Sequence, residues 1–310
     1  MLLTGGTGMV GANLAHRLVR DRYQVFVLTR PESNRFRLRA IQDQIGFLSA
    51  DMTDMKGVGD AVLQVQPEVI YHLAGTPFNP PSLSAETHFQ VNVLGTLHIL
   101  EGMKELKQTR LVFTSSAAEY GSGEHLSEQG PLRPETVLGA SKVAATTLVQ
   151  TYSRLYGINA VVLRLFTPYG PWDLSRRLIP HTILSALQGQ DVPISEGSQE
   201  RDFIYIDDVV DALMLAATQP VESGSVFNIG SGEGVSVREV VELTLRLMGH
   251  PVKALFGALP TRSDEIMRMS ADITAARDRL GWKPEVSLEE GLRRTITWFV
   301  EHHSLASQLV

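Results

Sequence analysis

Residues 1–11 read MLLTGGTGMVG. A short apolar run, MLLT, breaks into a glycine cluster, and ANLAHRLVR (12–20) follows at once. Leu14 and Leu18 stand four apart in it, with Ala15 and Val19 beside them, which is the spacing of an amphipathic helix. The chain therefore opens as strand, glycines, helix. The glycines fall as G-x-G-x-x-G at Gly6, Gly8 and Gly11, and as G-x-x-G-x-x-G at Gly5, Gly8 and Gly11. Glycines there allow a tight turn, a close approach of backbone to a pyrophosphate, and close helix–strand packing. The helix N-terminus adds N–H donors and the positive end of a dipole. The spacing is weak evidence alone; its place between a strand and a helix gives it weight. It predicts a dinucleotide loop, with Gly5, Thr7, Gly8, Met9, Val10 and Gly11 against the cofactor.

Further apolar runs follow: QVFVLT (24–29), VIYHLAG (69–75), RLVFTSS (110–116), AVVLRLF (160–166) and VFNIG (226–230). Near-continuous apolar runs mark strands buried on both faces, and the intervals leave room for crossover helices. The predicted fold is α/β, a Rossmann-type doubly wound parallel sheet. After LRLFTPYGPW (163–172) proline and glycine increase and the alternation weakens. From about 235 the pattern is mostly helical, clearest in SVREVVELTLRLMG (236–249). Two units are expected: a cofactor-binding domain of 1–168 plus about 204–232, and a smaller, discontinuous substrate domain of about 169–203 plus 233–310.

In dinucleotide folds the end of the second strand selects the cofactor. NAD calls for a carboxylate on the ribose 2′-hydroxyl. VFVLTRP (25–31) offers Thr29 and Arg30 instead, and Glu32 lies past a proline. A guanidinium pairs with a 2′-phosphate that a carboxylate would repel. NADP is the expected cofactor, with NAD the alternative and Arg30 as a plain surface charge the bland reading.

Composition narrows the rest. Of 310 residues, 43% are hydrophobic and 20% charged, an ordinary globular balance. The net charge of -6 argues against a general nucleic-acid binder. With no cysteine there are no disulfides, thiolate metal sites or cysteine nucleophiles. The opening residues lack a basic region followed by an apolar stretch, and no run reaches the ~18–20 apolar residues of a membrane span. A soluble, cytoplasmic protein with no membrane partner is expected. Strand 1 is short before Thr4, so the native start could lie upstream.

Taken together, TGGTGMVG (4–11), ADMTD (50–54), YHLAG (71–75), VNVLGTLHIL (91–100), FTSSAAEYG (113–121), GASK (139–142), LRLFTPYGP (163–171), RDFIYIDDVVDAL (201–213), VFNIGSGEGVSVRE (226–239) and RLGWKPEVSLEEGL (279–292) carry a resemblance. Nearly the whole chain resembles the extended short-chain dehydrogenase/reductase family, the nucleotide-sugar epimerases, dehydratases and ketoreductases. The resemblance implies a nucleotide-sugar substrate and a homodimer, formed through the helices containing VNVLGTLHILEGMKEL (91–106) and GASKVAATTLVQTYSRLYG (139–157). It implies that Asp51 and Met52 lie against the adenine, and that Leu73, Ala74 and Gly75 line the cofactor channel. Asn92 would help hold Lys142, which would bind the nicotinamide ribose. Ser116 would bond the reacting sugar oxygen. Arg201 and Arg262 would grip the diphosphate, and Thr167 replaces a more common Asn. Dispersed arginines suit a diphosphate better than a basic face would. Each has a plainer reading: Arg201 as an ion pair with Asp202, Arg262 as an exposed charge, Ser116 as a strand end. Asp207 and Asp208 open a predicted helix, where they stabilise its dipole. His302 and His303 read as surface residues, with no metal-ligand spacing nearby.

One departure is decisive for mechanism. The family's acid–base pair is Tyr-x-x-x-Lys, four residues apart on one helix face. In PETVLGASK (134–142) the lysine is Lys142, but Leu138 occupies the tyrosine's place. None of the seven tyrosines has a lysine four residues on. Leucine neither gives nor takes a proton, and such a group contributes about 10²–10⁴-fold in rate. Candidate substitutes are Ser116, a loop carrying His125, Glu128, Glu135 and Thr136, or a water held by Lys142. Glu119 is a weaker one, since strand alternation would set it on the face opposite Tyr120. Two classes remain: a 4-epimerase or 4-ketoreductase with a substitute acid, or a binding protein without catalysis. A dehydratase usually carries an acidic pair where Ala117 and Ala118 stand.

Overall fold

A computed structural model describes residues 1–77, 83–261 and 265–309, without the side chains of 306 and 307. Seven parallel strands form the central sheet: β1 (Leu2–Thr4), β2 (Val25–Thr29), β3 (Ile45–Ser49), β4 (Val69–His72), β5 (Arg110–Ser116), β6 (Asn159–Leu165) and β7 (Ser225–Ile229). Their spatial order is β7-β6-β5-β4-β1-β2-β3, with the order reversing beside β1. This is the doubly wound α/β arrangement that the apolar runs predict.

Helices cover both faces. On one lie α1 (Met9–Arg20) and, late in the chain, a helix over Ile206–Thr218. On the other lie α2 (Met55–Val65), α3 (Gly95–Met103) and α4 (Val137–Tyr156). Strand alternation feeds the two cores separately. Leu3, Val27, Tyr71 and Val112 join Leu14 and Leu18 of α1, while Leu2, Leu28, Ile70 and Phe113 join Val62, Ile99 and Val149. β3 escaped the sequence reading because its residues are only partly buried and it carries the sheet's edge.

Outside the sheet the strands are short pairs. Val192–Ile194 pairs with Ala254–Phe256, Glu200–Arg201 with Val235–Ser236, Phe203–Tyr205 with Thr167–Tyr169, and Gly123–Leu126 with Met269–Ala271. Helices Leu178–Leu187, Val237–Leu247 and Leu288–Glu301 pack among them. Ser236 and Glu239 close a capping box on the second of these, satisfying its first backbone donors. Among the described residues no helix is long and apolar enough to cross a membrane.

Asp207 and Asp208 lie in the first turn of the helix over Ile206–Thr218, as expected, and Asp208 has a further use. Its carboxylate accepts from the backbone N–H of Glu285 at 3.0 Å and Val286 at 3.1 Å, so it clamps the C-terminal segment. Asp207 lies 3.6 Å from Arg294. His302 is half-buried and stacks on Trp298 with ring centroids 4.6 Å apart, while His303 is exposed as expected.

Candidate active site

The site forms where β1, β4 and β5 end. Gly5 leaves β1 with φ +68°, and a Cβ there would sit 2.6 Å from the Ala74 nitrogen. A Cβ at Gly11 would sit 2.2 Å from the Gly5 carbonyl oxygen. Only glycine lets the loop lie this close to β4's extension and to α1. α1 begins at Gly8 with no side-chain cap, which leaves the first-turn N–H groups of Met9, Val10 and Gly11 for an anion. Thr7 turns its carbonyl the other way, accepting from the Arg37 guanidinium at 3.2 Å.

A buried relay fixes the loop to β4. The Ala74 N–H donates to Thr4 Oγ1 at 3.1 Å, and Thr4 Oγ1 meets His72 Nδ1 at 2.7 Å. His72 Nε2 meets Thr96 Oγ1 at 3.0 Å, and Thr96 donates to the Asn92 carbonyl at 2.6 Å. With every donor used once, His72 is neutral and carries its proton on Nε2. Burial, with the Lys142 charge adding to it, pulls His72 down to about 3.

Asn92 lies in a π-helical turn, Gln90–Leu94. Its side chain accepts from the Thr76 N–H and donates to Thr76 Oγ1 and to Ser141 Oγ, at 2.8–2.9 Å. It thus grips the residue before the lysine. Gly75 lies between them: a Cβ there would be 3.2 Å from both Asn92 Oδ1 and Lys142 Nζ.

Lys142 is 7% exposed. Its Nζ donates to the Thr114 carbonyl at 3.0 Å and lies 5.2 Å from the Phe113 ring centre. Burial pulls its ammonium down to about 8, against the opposing attraction of the Glu119 carboxylate. Leu138 is 5% exposed, one turn earlier in α4. The first turn of α4 is pressed onto the end of β5, where a Cβ at Gly139 would sit 2.2 Å from the Ala118 oxygen. Ser116 ends β5, and its Oγ accepts from the Ala118 N–H at 3.1 Å.

Glu119 corrects the sequence reading. β5 stops at Ser116, and Ala117–Glu119 form a 3₁₀ turn, so strand alternation does not apply. Glu119 and Tyr120 then reach the same guanidinium: Arg164 donates from Nε to Glu119 at 2.7 Å and from Nη1 to the Tyr120 hydroxyl at 2.7 Å. Glu119 is fully buried and also accepts from Thr146 Oγ1 at 2.6 Å and from Ser115 Oγ. It is a member of a closed interior network. Three of the four loop candidates have side chains in use: Thr136 caps α4 through Gly139, Glu135 accepts from the Ser122 N–H, and Glu128 accepts from the Asn228 N–H. His125 is anchored to Ser270 only through its backbone N–H, and it is exposed.

At the far end of the crevice, Thr29 is buried and accepts from Arg35 Nη2 at 3.0 Å. Arg35 lies 4.2 Å above the Phe47 ring, while Arg30 is exposed with Glu32 at 3.3 Å. Asp51 accepts from the Thr53 N–H and hydroxyl, and the Met52 carbonyl accepts from His98. Leu73 follows β4, its N–H on the Thr4 carbonyl at 3.2 Å. Sequence reasoning missed Arg35 and Arg37, although TRPESNRFR (29–37) carries both. It missed Thr4, His72, Thr76 and Thr96, for which spacing offers no signal.

The expected diphosphate grip is divided. Arg201 is ion-paired with Glu265 rather than with Asp202, and donates to the Glu200 carbonyl at 2.7 Å. Asp202 instead accepts from Ser231, Gly232 and Ala271. Thr167 is tied by its N–H to the Asp202 carbonyl at 2.9 Å. Arg262 lies outside the described residues.

The glycine cradle, the uncapped helix start and the lysine beside Gly75 all fit a nicotinamide dinucleotide. Known proteins agree. The profile of the NAD dependent epimerase/dehydratase family matches residues 1–230. UDP-glucose 4-epimerase of Mycolicibacterium smegmatis is 32% identical over 96% of this chain and 97% of its own length. A dTDP-glucose 4,6-dehydratase of Haemophilus influenzae is 30% identical over 98% of each. The crystal structure of UDP-glucose 4-epimerase from Thermotoga maritima with UDP-glucose superposes with a TM-score of 0.90 at 27% identity, over 97% of this chain and 98% of that one.

Proposed function

The chain belongs to the NAD dependent epimerase/dehydratase family, and on that footing we propose that it transfers hydride at C4 of a nucleotide sugar, as a 4-epimerase or 4-ketoreductase. The observation that carries this is the convergence of Gly5, Gly75, Ser116 and Lys142 at the ends of neighbouring strands, where open α/β sheets bind their ligands. The bound dinucleotide supplies or accepts the hydride. Gly8, Met9, Val10 and Gly11 would hold its pyrophosphate, and Lys142 its nicotinamide ribose. Asp51 and Met52 would border the adenine, and Leu73, Ala74 and Gly75 the channel between. Ser116 would orient the sugar oxygen; Thr167, Arg201 and Arg262 belong to the nucleotide-sugar side. Arg30, together with Arg35, favours NADP over NAD in this reading.

The division into cofactor unit (1–168 plus about 204–232) and substrate unit (about 169–203 plus 233–310) is part of the proposal. Its support is that β7 joins the central sheet, while the strands at 192–194 and 254–256 pair with each other. A homodimer through α3 and α4, in the cytoplasm, completes it, and sedimentation tests the dimer.

Incubation with NADPH and a panel of 4-keto nucleotide sugars tests the reaction. Loss of reduced-nicotinamide absorbance with one of them is the expected result. Leu138 favours a second reading, a cofactor- and sugar-binding protein without turnover. Tight binding of both ligands with no reaction in either direction would establish that one instead.

A further inference from the structure

With Leu138 in the phenol's place, a proton must still reach the sugar oxygen. The described titratable groups around the crevice are almost all committed. Glu119 is fully buried under Ser115, Thr146 and Arg164. Tyr120 gives its proton to Asn228 Oδ1 at 2.8 Å. His72 is sealed between two threonines, and His88 faces Thr76 at 2.6 Å. Ser116 is a poor acid, and its oxygen already accepts a backbone N–H.

Lys142 is differently placed. A helical side chain leans toward the N-terminus of its helix, so Lys142 leans over the turn that contains Leu138. One of its three ammonium protons goes to the Thr114 carbonyl. Its Nζ stands where Gly75 leaves the channel wall open, since any Cβ there would crowd it at 3.2 Å. The Phe113 ring centre lies 5.2 Å from Nζ, and Leu138, one turn earlier on the same helix, is buried.

We infer that Lys142 is itself the general acid and base of the reaction, doing the work that the missing phenol does elsewhere in the family. This rests on the C4 hydride-transfer reading. In reduction the carbonyl carbon gains the hydride, and the carbonyl oxygen takes one proton from the Nζ ammonium. An alcohol, oxidised cofactor and a neutral amine result, and solvent water then returns a proton to the amine. In oxidation the neutral amine takes the hydroxyl proton as the hydride leaves.

The surroundings support a lysine able to cycle. Burial lowers its affinity for the proton, and Glu119 on the 3₁₀ turn keeps it from falling further. Of the other elements packed on α4, β6 brings Arg164, already paired with Glu119. β4 brings neutral His72, and the short helix before Asn92 brings His88 and Glu86, the latter bonded to Gln90. α3 brings His98, on the Met52 carbonyl, and Glu101, paired with Lys104 at 2.7 Å. β5 brings Arg110 at its distant start.

The first test needs no turnover. In the free protein carrying ¹³Cε-lysine, the Lys142 resonance is assigned by its loss in Lys142→Arg, then titrated. A midpoint near 8 is expected; a midpoint at or above the ordinary 10.5 overturns the inference. The second uses rate. Lys142→Arg keeps a cation but cannot release a proton, so kcat should fall about 10²–10⁴-fold, well beyond any loss of NADPH affinity from the altered ribose contact. Adding Leu138→Tyr to that variant should return much of the loss, because a phenol replaces the missing donor. Unchanged kcat in Lys142→Arg, or a loss that the phenol fails to restore, sinks the idea. Calorimetry on the unaltered protein keeps the two questions apart: failure to bind NADPH or nucleotide sugars rejects the hydride-transfer reading, whatever the lysine titration shows.

Discussion

Arg164 and Glu119 meet as a buried ion pair, Nε to Oε2 at 2.7 Å, beneath the end of β5, with 4% and 0% of their side chains exposed. Such a pair stabilises little relative to apolar side chains of the same volume, but breaking it strands a buried charge. Glu119→Gln should therefore destabilise the protein by about 3–5 kcal/mol in urea unfolding. The double variant Glu119→Leu/Arg164→Met should recover most of this. A double variant as unstable as the single one would show that the network's hydrogen bonds, not the stranded charge, set the cost.

The cofactor preference can be read at Arg35. Its guanidinium is fixed by Thr29 Oγ1 at the end of β2 and by the Phe47 ring on β3. A charge-assisted hydrogen bond is worth about 1.5–3 kcal/mol, so Arg35→Ala should weaken NADPH binding about 10–100-fold and leave NADH nearly unchanged. Fluorescence titration of the bound nicotinamide measures both. Equal losses for the two, or tighter NADH in the unaltered protein, would count against NADP.

His72 predicts an acid dependence of stability. Its folded-state value lies near 3, below the ordinary 6.5. Between these the unfolded chain binds a proton that the folded chain refuses. Stability is thus fully present above pH 6.5 and is lost as pH falls toward 3, at up to about 1.4 kcal/mol per unit. His72→Gln removes that contribution. Its stability should fall less steeply between pH 6 and 4 than that of the unaltered protein; parallel curves would contradict the assignment.

Lys142 predicts the opposite end of the scale. Its folded-state value, near 8, lies below the ordinary 10.5, so the buried ammonium costs stability at neutral pH. The cost is fully present below pH 8 and is relieved as pH rises toward 10.5. Lys142→Met should stabilise the protein at pH 7 by up to about 3 kcal/mol, the gain shrinking toward pH 10. A lower Tm for Lys142→Met at pH 7 would mean that the bond to Thr114 outweighs the burial cost. A stabilising change that abolishes turnover would place Lys142 among residues kept for function rather than for folding.

What the sequence determined by itself was local and periodic. The strand–glycine–helix order of residues 1–20, the buried apolar runs, the retained lysine and the absent tyrosine are all visible in one line of text, because period and spacing need only near neighbours. β3 was hidden because an edge strand buries too little to show a clear pattern. Arg201's partner, Glu265, and the Asp208 clamp on residues 285–286 join positions 64 and 77 residues apart, which no local spacing encodes. The same holds for Glu119. The letters suggested a strand residue facing away from Tyr120, and a 3₁₀ turn put both on Arg164. Tertiary structure alone decided that Lys142 is buried, bonded to Thr114 and bordered by Gly75, since a side chain's proton affinity is set by what surrounds it in space.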